Sequence, residues 1–156
     1  MGNNIHIEHL AKHPECLPLL RIWFEREWAS YYGAGAVGNA AADLRAYANT
    51  DALPVGIVAF CEQQLCGVAA LKADSIASRS DLGPWAGAGF VHPSFRRRGI
   101  GARLLAGVEG VARELGYQII YCATSTSASL LERNAWHLME HITHDGERLA
   151  IYEKAL

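Results

Sequence analysis

From Val91 to Leu105 the chain reads Val-His-Pro-Ser-Phe-Arg-Arg-Arg-Gly-Ile-Gly-Ala-Arg-Leu-Leu, and no other segment limits the possible folds as much. The β-prone run Trp85–His92 stops against Pro93. A helical pattern then opens at Gly99, with Ile100, Leu104, Val108, Val111 and Leu115 on one face and Gly116 as the stop. A strand that passes within a few residues into an amphipathic helix needs a sheet for that helix to pack on. The first N–H groups of the helix have no internal acceptor, and the helix dipole adds partial positive charge there. Gly99 and Gly101 keep Cβ atoms out of the way of a bulky anion, and Arg96, Arg97 and Arg98 supply charge at the same place. The segment therefore predicts a phosphate site, and a pyrophosphate fits it well.

The rest of the chain supplies the sheet. Residues 4–10 alternate as a short strand, and helical spacing runs from Glu15 to about Ser30. A small-residue loop, 33–42, is either a lid or merely a loop, and it leads into a second helix over Ala41–Asn49. Val55–Glu62 and Leu65–Lys72 form a hairpin turning at Gln63-Gln64, and residues 73–84 are a polar loop. After the glycine-led helix come a strand at Gln118–Ala123, a short helix at 126–134, and strands at 136–142 and 148–154 around an Asp145-Gly146 turn. The sum is seven strands and four helices, a mixed α/β order around one central sheet in a single domain spanning 1–156.

Composition narrows the function classes. At 51% hydrophobic and 19% charged the chain can bury a core, which excludes a disordered protein. A formal charge of -2 disfavours nucleic acid and anionic membrane as partners, and the arginine run lacks the interleaved aromatics of an RNA-binding loop. No apolar stretch is long enough to span a membrane, and the start lacks the pattern of a secretory signal or a myristoylation site. A cytoplasmic location is expected. Cys16, Cys61, Cys66 and Cys122 form no Cys-x-x-Cys pair and are expected to pack rather than bridge. His137 and His141 fall on a strand, about 13 Å apart at ~3.3 Å per residue, so no metal site is expected. His6, His9 and His13 are expected to be exposed.

The P-loop pattern is absent, and Gly-x-Gly-x-x-Gly fails because Leu104 stands where its third glycine belongs. Arg96-Arg97-Arg98-Gly99-Ile100-Gly101, preceded by Val91-His92-Pro93, instead resembles the acetyl-CoA-binding motif of the GNAT acetyltransferase superfamily, Arg/Gln-x-x-Gly-x-Gly/Ala. Leu130–Trp136 is similar to that family's late Leu-Tyr-x-x-x-Gly-Phe/Trp segment. The resemblance covers nearly the whole chain and implies a central, mostly antiparallel sheet. It also implies an acetyl-CoA-dependent N-acetyltransferase that moves the acetyl group directly to a primary amine in a ternary complex. The alternative is a non-catalytic acyl-CoA-binding or sensor module.

Carried over residue by residue, the resemblance implies that backbone groups of Phe90 and Val91 pair with the pantetheine arm. The N–H groups of Arg97, Arg98, Gly99, Ile100, Gly101 and Ala102 hold the pyrophosphate, with Arg96 opening the motif. The Val91 amide is the implied donor to the thioester carbonyl, a role often worth ~3 kcal/mol. Thr124 matches a cofactor-contacting Asn, and Trp28, Tyr31 and Tyr32 fall where the acceptor wall is expected. Leu131 occupies the place of the Tyr that protonates the leaving thiolate, which leaves water, Ser125, Ser127 or Ser129 for that task. The fourth strand lacks the usual Glu, so Asp81 is the expected general base, with His92 and Glu62 behind it. The mild overall acidity favours a cationic acceptor, such as a polyamine or aminoglycoside, or else a peptide amine. A monomer or a homodimer is expected.

Overall fold

The computed structural model describes residues 4–156. Ile5–His9 (β1) lies antiparallel on Val55–Cys61 (β2), which turns into Gln64–Lys72 (β3). That turn uses Glu62 and Gln63, with φ of 52° and 72°, one residue earlier than the expected Gln63-Gln64. Trp85–Val91 (β4) is antiparallel to β3, and Ile119–Thr124 (β5) is parallel to β4. His137–His144 (β6) and Glu147–Ala155 (β7) form the closing hairpin. β7 inserts beside β5, giving one seven-stranded sheet in the order β1-β2-β3-β4-β5-β7-β6. The fold is thus mixed α/β with a mostly antiparallel sheet, as the sequence predicts.

Five α-helices flank the sheet rather than the expected four: Leu17–Glu27 (α1), Ala29–Tyr32 (α2), Ala40–Tyr47 (α3), Ile100–Glu114 (α4) and Ala128–Arg133 (α5). The added helix comes from a break at Trp28, which leaves helical geometry at φ -117°, ψ 53°. Its ring sits edge-on to Phe24 and Phe90, so a contact distant in sequence ends a run that local periodicity continues. The loop before α3 is tied down, because the Gly38 amide donates to the Tyr31 carbonyl and Asn39 Oδ1 accepts from the Ala42 amide.

The two faces of the sheet have different tasks. α4 lays Ile100, Leu104, Val108 and Val111 on Ile57, Ala59, Leu71 and Ala86, and α5 adds Leu131. Each such buried side chain is worth about 1.5–3 kcal/mol against exposure. α1 and α3 cover the other face, with Leu20, Phe24 and Leu44 against Val58, Val68 and Ala70. Beyond them Ile76, from the loop after β3, packs with Trp85, Tyr121 and Ile151. No helix among the described residues is long and apolar enough to cross a membrane. Against expectation, His13 is half-buried between Glu8 and Glu15, and the Nδ1 of His9 is buried without a partner.

Candidate active site

The sheet is split where its only parallel pair meets. β4 and β5 are in register at Trp85 and Tyr121 alone, and beyond that point the strands diverge. A cleft of about 740 Å³ fills the gap, a size typical of small-molecule sites. Its walls come from both faces of the sheet. Gly101, Leu104, Leu105, Leu130 and Leu131 line the α4–α5 side, and Trp28, Tyr31, Tyr32, Asp43 and Tyr47 line the α1–α3 side. Two ligands entering from opposite faces can therefore meet at the gap.

Register decides which backbone groups of β4 face that gap. The His92 amide donates to the Cys66 carbonyl at 2.9 Å, so the neighbouring pair Gly67–Val91 is a non-hydrogen-bonded one. The N–H and C=O of Val91 consequently point away from β3 and into the split. Arg96 Nε donates to the Val91 carbonyl at 2.9 Å, while its guanidinium sits 5.7 Å from the Phe90 ring centroid. The first arginine of the run thus braces the strand end. Phe90 turns its carbonyl toward β3, near Gly67, and offers the cleft its ring. Upstream, Val68 and Ala70 face Phe90 and Gly87, leaving one extra residue in β4. Ala88 takes φ of 53° in this bulge, which bends the strand away from β5.

The turn into α4 has the predicted form. Arg97 and Gly99 both take positive φ, 66° and 78°. From Arg97 to Ala102 no N–H donates to a backbone acceptor among the described residues; the ladder resumes with Arg103 donating to the Gly99 carbonyl. A Cβ added at Gly99 would meet nothing within 4 Å, and one at Gly101 only Leu130 at 3.5 Å. Such a row of free donors beside open space suits a diphosphate. Arg97 and Arg98 are exposed beside it, with Arg98 5.3 Å from the Phe95 ring centroid, whereas the side chain of Ile100 is buried in the core.

The structure brings Trp28, Tyr31, Tyr32, Phe90, Val91, Gly101 and Thr124 to one cleft. Thr124 Oγ1 accepts the amides of Thr126 and Ser127 at 3.2 and 2.8 Å, which ties down the turn into α5 and leaves its hydroxyl proton to donate. Asp81 is not on the wall. It is exposed, and Arg79 Nε donates to it at 3.1 Å, holding its pKa below the usual carboxylate range. His92 accepts the Ser94 amide and Glu62 sits at a hairpin tip; neither lines the cleft. Ser125 and Ser127 line it and Ser129 does not.

Sequence reasoning missed two charged residues. Asp43 on α3 is the cleft's one carboxylate among the described residues, and it accepts the Tyr32 hydroxyl at 2.6 Å. Burial, then this hydrogen bond, pushes the Tyr32 pKa up. Lys72, ending β3, is the cleft's one cation. Both carried a faint signal: Asp43 is the only acid between Glu27 and Asp51, and Lys72 the only charge in Leu65–Lys72. Cys122 also lines the cleft, its thiol pushed up to about 12 by burial and therefore protonated at neutral pH.

A split sheet with a free-amide turn beside it defines a protein that can hold a phosphate-bearing cosubstrate against a second ligand. The chain belongs to the acetyltransferase (GNAT) family, whose sequence profile matches residues 17–141. Solved structures share the fold. The ribosomal-protein-alanine N-acetyltransferase of Brucella melitensis superposes with a TM-score of 0.76 at 19% identity, covering 97% of this chain and 99% of that one. The aminoglycoside 6'-N-acetyltransferase of Enterococcus faecium gives 0.75 at 15% identity, with 96% of each chain covered. The protein yncA of Salmonella typhimurium, solved with its cofactor acetyl-CoA, gives 0.73 at 17%, covering 99% of this chain and 95% of that one. No curated protein matches the sequence.

Proposed function

We propose that residues 1–156 form one acetyltransferase domain that binds acetyl-CoA and passes its acetyl group directly to a primary amine. The observation that carries this reading is the row of unpartnered amides from Arg97 to Ala102 opening beside the β4–β5 split. The bound cosubstrate supplies an activated thioester. The Val91 N–H, pointing into the gap, is placed to stabilise charge that develops on the thioester carbonyl oxygen. Arg96 keeps that amide aimed by holding the Val91 carbonyl. The acceptor enters from the Trp28, Tyr31 and Tyr32 side.

In balance, an ammonium and a thioester give an amide, a thiol and one released proton. The nitrogen–carbon bond forms and the carbon–sulfur bond breaks. Asp43 replaces Asp81 as the carboxylate able to receive the first proton, directly or through water, because it lines the cleft and, among the described residues, forms no ion pair within 4.0 Å. Cys122 is half-buried on the cleft wall with its thiol pKa raised, which disfavours a thiolate nucleophile and favours transfer without a covalent enzyme intermediate. The yncA structure with acetyl-CoA supports the choice of cosubstrate.

One observation favours a second reading, a non-catalytic acyl-CoA-binding or sensor module. Leu131 stands on the cleft wall, 1% exposed, where a proton donor to the thiolate is expected. A thiol of ordinary pKa about 8.5 leaves without such help, so we favour the enzyme. An acceptor screen at fixed acetyl-CoA, following free thiol, separates the two. Thiol release above hydrolysis with an amine is the expected result. Binding without release from any amine would make the protein a sensor.

A further inference from the structure

The acceptor side of the cleft holds two opposite charges that form no contact ion pair with each other. Lys72 and Asp43 both line it, yet Lys72 makes no ion pair within 4.0 Å among the described residues. Alternation along β3 turns Lys72, like Val68 and Ala70, toward the α1–α3 face. Its register partner is Trp85, and its stem runs along β4, where a Cβ built on Gly87 would come within 3.1 Å of Lys72 Cδ. The missing side chain at Gly87 is thus what lets the lysine lie across the strand. Burial lowers the Lys72 pKa, and the nearby charges of Asp43 and Asp74 oppose that shift. The hydroxyl-bearing residues Tyr47 and Ser75 line the same cleft.

A polycation is poorly matched to such a site. It would meet one carboxylate on the cleft wall, already hydrogen-bonded to Tyr32, and beside it an ammonium that Asp43 and Asp74 offset only from beyond ion-pair distance. A half-buried lysine that no described carboxylate contacts within 4.0 Å is free to take up an anion, and a single ammonium matches the charge of a monoanion. We propose that the acceptor is a small zwitterion, an amine that also carries a carboxylate, with Lys72 binding the carboxylate and Asp43 facing the ammonium end. This rests on the acetyltransferase reading and names its substrate class. The cationic acceptors suggested by overall charge are then the wrong class, because net charge says nothing about one cleft.

The test compares amine pairs that differ only in a carboxylate: phenylalanine with phenethylamine, and lysine with cadaverine. Thiol release with acetyl-CoA and titration calorimetry of each amine, with and without saturating CoA, are measured on the same protein. The wild type is expected to favour the carboxylated member by about tenfold or more in kcat/KM or affinity, the scale of a charge-assisted contact. Lys72→Met should bring that ratio toward one through KM rather than kcat, and Lys72→Arg should keep most of it. Gly87→Val, which displaces the lysine stem, should lower the ratio while leaving Lys72 in the sequence. A wild-type ratio near or below one, or a ratio that survives Lys72→Met, overturns the proposal. Because amine binding is read separately, absence of acetyl-CoA binding would count against the transferase reading, and the amine ratios would still decide the role of Lys72.

Discussion

At Gly99 the backbone takes φ of +78°, and a Cβ would find nothing within 4 Å. The space that a side chain would fill is the space that the proposed cosubstrate needs. Gly99→Val should therefore weaken acetyl-CoA by about tenfold or more, while the left-handed backbone adds a strain of about 1–2 kcal/mol. Calorimetry with thermal unfolding reads both. His13 gives a pH prediction. Hydrogen bonds that its ring donates to the carboxylates of Glu8 and Glu15 raise its pKa above 6.5, so the folded chain holds the proton more tightly than the unfolded one. That contribution is complete below about pH 6.5 and is lost as pH rises through the raised value. Tm should rise modestly from about pH 8 to about pH 6 relative to His13→Gln, and equal profiles would count against the contact. The motif arginines and glycines were readable because their chemistry is local and ordered along the chain. Asp43 and Lys72 were not, since each matters only once α3 and β3 meet across a gap that periodicity does not encode.

Among the elements, α4 is both the helix proposed to hold the cosubstrate and the main packing surface of its face. Glu109, 5% exposed on that helix, accepts Trp136 Nε1 at 3.1 Å and Lys154 Nζ at 3.0 Å, joining α4 to β7 and to the residue before β6. Removing the carboxylate leaves the half-buried Lys154 ammonium with the Asn134 carbonyl but no counter-ion, and the indole N–H without its acceptor. Glu109→Ala should lower stability by about 3 kcal/mol, measured by urea unfolding. A loss below about 0.5 kcal/mol, the range of ordinary surface changes, would contradict that role. All seven strands were legible from alternation and turn residues, mostly to within one or two positions. The break at Trp28 and the bulge at Ala88 were not: one depends on Phe90 and the other on the pairing of β3, both remote in sequence.

Over the whole molecule, function follows from one incomplete strand pairing. Joining β4 to β5 in parallel at a single register point leaves a gap open to both faces. α4 then delivers unpaired amides to one side, and α1–α3 deliver aromatic rings, a carboxylate and a path to Lys72 on the other. The order of elements was enough to expect such a sheet, but the charge of the acceptor side emerged only from the assembled cleft. The most direct measurement is isothermal titration of the wild-type protein with acetyl-CoA beside Gly99→Val. Saturable one-to-one binding, at about 100 μM or tighter and weakened in the variant, is the predicted result. A flat titration through about 100 μM, or equal affinity in the two proteins, would contradict the claim that the turn opening α4 holds the cosubstrate.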